Sequence, residues 1–331
     1  MSDSTAPGPG KFGVLGVVLL ATTSLVWGAA YVFIREGILF GASPLAFASA
    51  RYLLSAGGFS LVAAVRGEAF PSRRALAISA SVGGVLIIGL YGGLLYWGEQ
   101  YTTGGYAAVL ASTAPLLTVT AGFFLLSSER LGAVGLTGMA VGLVGAAVLV
   151  FPQLTGSNAL GSWEGPLFVL GAMACTAVGT VVLRRIGRGP QGLWQLGTQF
   201  VVAGLLLGVA AMVIPASNTL PLTTGVLEML ALLVLLSSMV GYFTYFVLHH
   251  RVGPVRANVV AYLAPLVGVA VGTGLYGEPV TFWEVGGVVI VLAGVSLVLW
   301  ESSNRGAASQ PSGSLREPAT DATRGPSDRS S

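Results

Sequence analysis

The sequence predicts an all-α integral membrane protein, with ten transmembrane helices arranged as two inverted five-helix repeats. Three observations carry that prediction. The 331-residue chain is 54% hydrophobic and only 9% charged, with a mean hydropathy of +0.81. A domain surrounded by water carries about 25% charged residues, so most of this surface must face lipid. Apolar runs of about 20 residues, enough to cross a hydrocarbon core of about 30 Å, follow one another along the chain. Finally, one stretch occurs twice.

That stretch is Ala107 to Gly122 (AAVLASTAPLLTVTAG), and at a shift of 150 residues Ala257 to Gly272 reads ANVVAYLAPLVGVAVG. Eight of the sixteen positions are identical, among them Ala114, Pro115 and Leu116. After one deletion the match resumes at a shift of 149, pairing Glu129 with Glu278, Gly138 with Gly287, Leu143 with Leu292 and Gly145 with Gly294. An ordered series of this kind marks internal duplication.

Taken in order, residues 1–11 are polar and rich in Pro and Gly, and are expected to be disordered. No cleavage site follows the first apolar run, so it reads as a retained helix. Spans are expected near 12–34, 44–65, 75–97, 104–126 and 132–151 in a first repeat over 12–151. The second repeat, over 163–300, holds spans near 163–183, 193–215, 226–248, 254–276 and 282–300. Polar or Pro/Gly punctuation such as RGEAFPSRR and PASNTLPLT separates them, and the Ser/Pro/Gly/Arg-rich tail 301–331 is expected to be disordered. With the N-terminus inside, ten Lys or Arg residues, from Lys11 to Arg256, lie at inner ends and only Arg35 at an outer one. That asymmetry places both termini in the cytoplasm of a multi-pass protein of the inner or plasma membrane. Five helices return the chain to the opposite face, so the second copy is upside down. Inverted repeats of this kind put a substrate site near the midplane between the halves and support alternating access.

Several residue patterns resemble a known group. They are Trp27-Gly28, Pro44 with Arg51, EQYTTGGYAAVLASTAPLLTV, Glu129-Arg130-Leu131, and Gly138, Gly142 and Gly145. In the second half they are GTVVLRR, VGPVRANVVAYLAPLVGV, Gly277-Glu278-Pro279 and Gly286-Gly287. The chain resembles the drug/metabolite transporter superfamily, specifically its ten-helix EamA-type members, from about residue 12 to 300. The second copy departs from the pattern, with Thr176 where Trp27 would repeat. The resemblance implies an exporter or facilitator of small metabolites, with helices 1, 3, 4, 6, 8 and 9 around a central cavity. Amino acids as the substrate class rest on the resemblance alone.

The residues themselves narrow the chemistry. One cysteine, Cys175, excludes an internal disulfide and a cysteine-based metal cluster, and two histidines are too few for a His-rich site. No catalytic constellation, metal or cofactor is expected, and no nucleic-acid partner. No Asp or Glu lies mid-helix, which argues against a proton-driven pump for cationic drugs, and no buried basic cluster suits a phosphate-bearing substrate. The polar and aromatic residues inside suit a neutral or zwitterionic solute. They give the cavity candidates Trp27, Tyr31, Tyr91, Glu99, Thr113, Thr176, Tyr242, Tyr245, Asn258 and Tyr262. Tyr96, Trp97, Trp163 and Trp283 suit the interfacial belt.

Pro115 and Pro265 fall mid-helix at matching places and are expected to kink or hinge there. Arg51, about seven residues into its helix, is expected to snorkel outward or pair with Glu36 or Glu99. Glu129 and Glu278 are expected to serve the starts of helices 5 and 10. The small-residue faces of those helices, Gly135, Gly138 and Gly142 against Gly286, Gly287 and Gly294, suit either a homodimer or packing within the chain. The readings set against a carrier are a channel-like or structural bundle and a drug efflux carrier.

Overall fold

The computed structural model describes residues 13–126, 132–154, 162–186, 192–214, 218–252, 257 and 259–308. Among them, eight helices are long and apolar enough to cross a membrane, and two shorter apolar stretches, Val260–Tyr276 and Phe282–Val298, share their composition. We number the helices α1 (Val14–Leu39), α2 (Pro44–Val65), α3 (Arg73–Glu99), α4 (Gly104–Leu125) and α5 (Ala133–Leu154). Then come α6 (Glu164–Arg185), α7 (Leu193–Val213), α8 (Thr224–Leu232, Leu233–Val240 and Gly241–Val252 in series), α9 (Val260–Tyr276) and α10 (Phe282–Ala308). Large apolar side chains such as Leu61, Leu205, Leu235 and Val289 point outward and are more than half exposed. Water does not tolerate so many at once, whereas lipid does.

The strongest helix pairings repeat when every label is moved by five. Helix α1 packs on α9 and α6 on α4; α3 packs on α6 and α8 on α1; α3 packs on α7 and α8 on α2. Three pairs map onto themselves, α2 with α7, α4 with α9 and α5 with α10. The α5–α10 pair is a glycine seam. A Cβ on Gly294 would meet the backbone nitrogen of Gly142 and the carbonyl oxygen of Gly138, so only hydrogen fits there. The small faces of these two helices are therefore spent on each other, within the chain. Gly286, by contrast, faces open space.

Carboxylates hold four helix starts, though not in the expected way, one of them being Glu68, which accepts from the N–H of Leu193 at the start of α7 at 3.1 Å. The first N–H groups of a helix have no internal acceptors. Glu278 does not serve α10: its carboxylate accepts from the N–H groups of Gly104 and Gly105, at 2.8 and 2.7 Å, and so caps α4. It reaches them because Gly277, at φ +67°, turns the chain in the left-handed region at the end of α9. Helix α10 instead starts with a reciprocal capping box, in which Glu284 accepts from the N–H of Thr281 at 2.6 Å and donates its own to the Thr281 hydroxyl at 3.3 Å. Glu301 accepts from the N–H groups of Gly132 and Gly135 at the start of α5. The expected boundary at residue 301 is thus crossed, since α10 runs on to Ala308. Glu129 lies outside the described residues.

The two repeated prolines behave differently. Pro265 sits inside α9, as the sequence suggests. Pro115 does not kink a continuous helix. The first part of α4 ends at Ala111, and Ser112 and Thr113 bond back three residues to Val109 and Leu110, both at 3.1 Å. Pro115 then falls in the first turn of the second part, Ala114–Leu125, where its missing N–H costs nothing.

Candidate functional site

A cavity of about 300 Å³ lies in the middle of the bundle. Its wall is built from both halves: Trp27 and Tyr31 of α1, Arg51 and Tyr52 of α2, Tyr91 of α3, Ala111 and Ala114 of α4, Thr176 of α6, Phe200 of α7, Tyr242 and Tyr245 of α8, and Pro265 of α9. The implied set of lining helices therefore gains α2 and α7. Two of the helices that bound it lose α-helical winding alongside the cavity. The segment Ser79–Leu90 of α3 and the segment Leu233–Val240 of α8 are π-helical, and they bring Ile87, Ile88 and Ser237 to the wall. Wider turns of this kind recur at functional sites because they re-aim side chains and backbone carbonyls.

The aromatic part of the wall is continuous. The Trp27 ring lies 5.5 Å from Tyr242 and 4.9 Å from Tyr245, and Phe200 lies 5.4 Å from both Tyr52 and Tyr242. The Trp27 indole N–H donates to the Ser237 carbonyl oxygen at 3.1 Å, which fixes the ring across the α1–α8 boundary. Behind Trp27, Gly28 lets α1 come against α9, since a Cβ there would strike the Ala264 carbonyl oxygen. The Trp-Gly pair thus does two jobs: the ring faces the cavity and the glycine closes the helix contact behind it.

Arg51 neither snorkels nor pairs with an acid through a hydrogen bond. It is 7% exposed, lines the cavity, and donates to three hydroxyls: Ser237 at 2.8 Å, Tyr96 at 3.0 Å and Ser238 at 3.3 Å. Its guanidinium also stands 5.6 Å from the Tyr52 ring. Tyr96 is consequently a buried partner of Arg51 and not an interfacial belt residue. Trp163 and Trp283 do point outward, at 50% and 42% exposure.

The cavity brings together Trp27, Tyr31, Tyr91, Thr176, Tyr242, Tyr245, Arg51 and Pro265. It does not bring in four others. Glu99 is fully buried at the end of α3, outside the lining, and neither of its carboxylate oxygens has a hydrogen-bond partner among the described residues. Thr113 is buried and donates to the Leu110 carbonyl at 2.8 Å, stabilising the break in α4. Tyr262 is half-buried off the lining, Pro115 likewise lies outside it, and Asn258 falls outside the described residues. Besides aliphatic residues, the lining residues that sequence reasoning missed are Tyr52, Phe200 and Ser237. The Ser237-Ser238 pair inside LLVLLSSMV was a readable signal, being polar in an apolar run; Phe200 carried none.

The comparisons agree with this architecture. The family model described as "EamA-like transporter family" matches residues 14–151 and again residues 163–300. A protein of Escherichia coli (strain K12) named "Uncharacterized inner membrane transporter YedA" is 32% identical over 273 residues, covering 80% of this chain and 85% of its own. A protein of Salmonella typhimurium (strain LT2) named "Probable amino-acid metabolite efflux pump" is 27% identical over 295 residues, covering 86% of this chain and 93% of its own. One crystal structure has the same fold with a TM-score of 0.59 at 16% identity, covering 87% of this chain and 98% of its own. With its family model matched twice and nearly end to end, the chain belongs to the EamA-like transporter family.

Proposed function

We propose that the protein is an inner-membrane carrier that exports small metabolites such as amino acids or related neutral and zwitterionic compounds. It works by alternating access between two inverted repeats of five transmembrane helices, with both termini in the cytoplasm. The observation that carries the reading is the cavity itself, about 300 Å³ and walled by aromatic and hydroxyl-bearing side chains from both halves. A mostly apolar pocket with a few convergent polar groups is what a small amphipathic solute requires. The pairing of helices that repeats under a shift of five supports the two-fold relation, and inverted halves rocking about a central site are the usual means of alternating access. Export and amino-acid chemistry draw on the Salmonella relative's name. Orientation draws on the excess of Lys and Arg at one set of helix ends.

The test is counterflow in proteoliposomes loaded with a mixed pool of amino acids and small neutral metabolites. Saturable exchange of one labelled compound, competed by its unlabelled form, is the expected result. Flux that does not saturate would instead make the bundle a channel, and no flux from folded protein would sink the carrier reading.

A further inference from the structure

Resting on the carrier reading, we infer that Arg51 is a carboxylate seat, so that the solute must present a carboxylate to this side chain while its remainder lies against the aromatic wall. A guanidinium carries five N–H donors in a fixed planar fork. Three are spent on Ser237, Ser238 and Tyr96, through Nη2, Nε and Nη1 respectively. One N–H on each terminal nitrogen remains, as many donors as a bidentate grip on a carboxylate uses. The side chain forms part of the cavity wall, so these donors belong to a group that borders the space a solute enters.

A structural ion pair is the competing explanation, and the surroundings do not supply one. A cation at this depth is costly without an anionic partner, yet every hydrogen bond from Arg51 goes to a neutral hydroxyl. Glu99 is within electrostatic reach, but its two oxygens bond to no described group, Arg51 included. The three hydroxyl bonds aim the fork, and no carboxylate among the described residues bonds to it. Ser237 adds a link to the far wall, since its hydroxyl holds Arg51 while its carbonyl holds the Trp27 indole. A carboxylate on Arg51 would thereby sit beside the ring that its own apolar portion packs against.

The experiment is calorimetric titration of the purified full-length chain with two matched sets of probes. One set is the free amino acids together with simple carboxylates such as benzoate and 4-methylpentanoate. The other is the carboxamides of the same compounds. At least one carboxylate should bind about tenfold or more tighter than its amide, the difference expected when charge-assisted bonds are lost. Arg51→Gln should erase that preference, while Arg51→Lys, which keeps the charge without the fork, should retain part of it. Equal binding of acid and amide by the native chain overturns the inference, as does absence of any carboxylate binding or a preference that survives in Arg51→Gln. The native acid–amide comparison stands even where a variant does not fold. The two readings also fail separately. Counterflow of a solute lacking a carboxylate would leave a carrier without this seat, whereas tight carboxylate binding without counterflow would leave the seat without the carrier.

Discussion

The α5–α10 seam and the central cavity hold helices together by opposite means. In the seam, backbone meets backbone: Gly294 stands against Gly138 and Gly142, and Gly145 against Gly287 and Val291. Around the cavity, α1 meets α9 closely at Gly28, but α2, α3 and α8 are joined to one another and to α1 through long side chains and hydroxyls, as where Arg51 of α2 bonds to α3 and α8, or Trp27 of α1 to α8. Where backbone meets backbone there are no rotamers to adjust, and close packing leaves no room to give. Side-chain bridges can be exchanged for others as helices shift. The contrast teaches where the packing is tightest: the seam leaves its backbones no room, whereas the cavity wall is held by side chains.

Gly294→Ala attacks that contrast hardest. Its added methyl would collide with two backbone atoms that no rotamer change can move, and overpacking of this kind costs about 3 kcal/mol. The expected outcome is a large fall in the thermal midpoint of the detergent-solubilised protein. Gly286→Ala is the partner measurement. Nothing lies within 4 Å of the added atom there, so stability should hold or rise by up to about 1 kcal/mol through better helix propensity. Equal effects at the two positions would mean that the seam is not the close contact described.

Glu278→Gln probes a different sort of rigidity. The carboxylate takes two N–H groups at the start of α4, a helix that borders the cavity through Ala108, Ala111 and Ala114. An amide keeps one acceptor oxygen and turns its own donors toward the other N–H. The loss should be about 2 kcal/mol, combining one charge-assisted bond with the favourable placement of an anion at a helix start. Thermal unfolding measures it, and an unchanged midpoint would show that the cap contributes nothing.

How much of this was legible in the sequence varies with the kind of physics involved. Span positions were readable because lipid demands an unbroken apolar run, and α2, expected over 44–65, is Pro44–Val65. The family was legible for a related reason: the glycines and prolines that set close approach and helix breaks are fixed by backbone sterics. Partner choice was not legible. Glu278 lies next to α10 in sequence, yet the helix start it caps lies 173 residues away, brought close by the return of the chain. Arg51 presents the same difficulty. Its depth could be counted along the helix, but the hydroxyls that hold it come from α3 and from a π-helical part of α8 that no periodicity announces. The repeat itself misled at Pro115. Identical Ala-Pro-Leu triplets suggested identical kinks, whereas Ser112 and Thr113 end the helix before the proline and Tyr262 and Leu263 do not.

The smallest expected effect sharpens the comparison furthest, because it makes the Glu278 change at a second carboxylate, one that is fully buried. Glu99 ends α3, is 0% exposed, and has no hydrogen-bond partner for either carboxylate oxygen among the described residues. Its neighbourhood is tied together by the backbone instead: Arg35 donates to the carbonyl oxygens of Glu99 and Gln100 at 2.7 and 3.0 Å, bonds that do not involve the Glu99 side chain. Glu99→Gln therefore removes no bond, keeps the volume, and takes away a group whose charge is costly to bury. Thermal unfolding should show the midpoint unchanged to within about 0.5 kcal/mol, or raised. A fall as large as that of Glu278→Gln would require a partner for Glu99 and would end the distinction between a carboxylate that builds the fold and one that the fold merely encloses. An unchanged midpoint would place the mechanical work at this end of the bundle on Glu278 and Arg35.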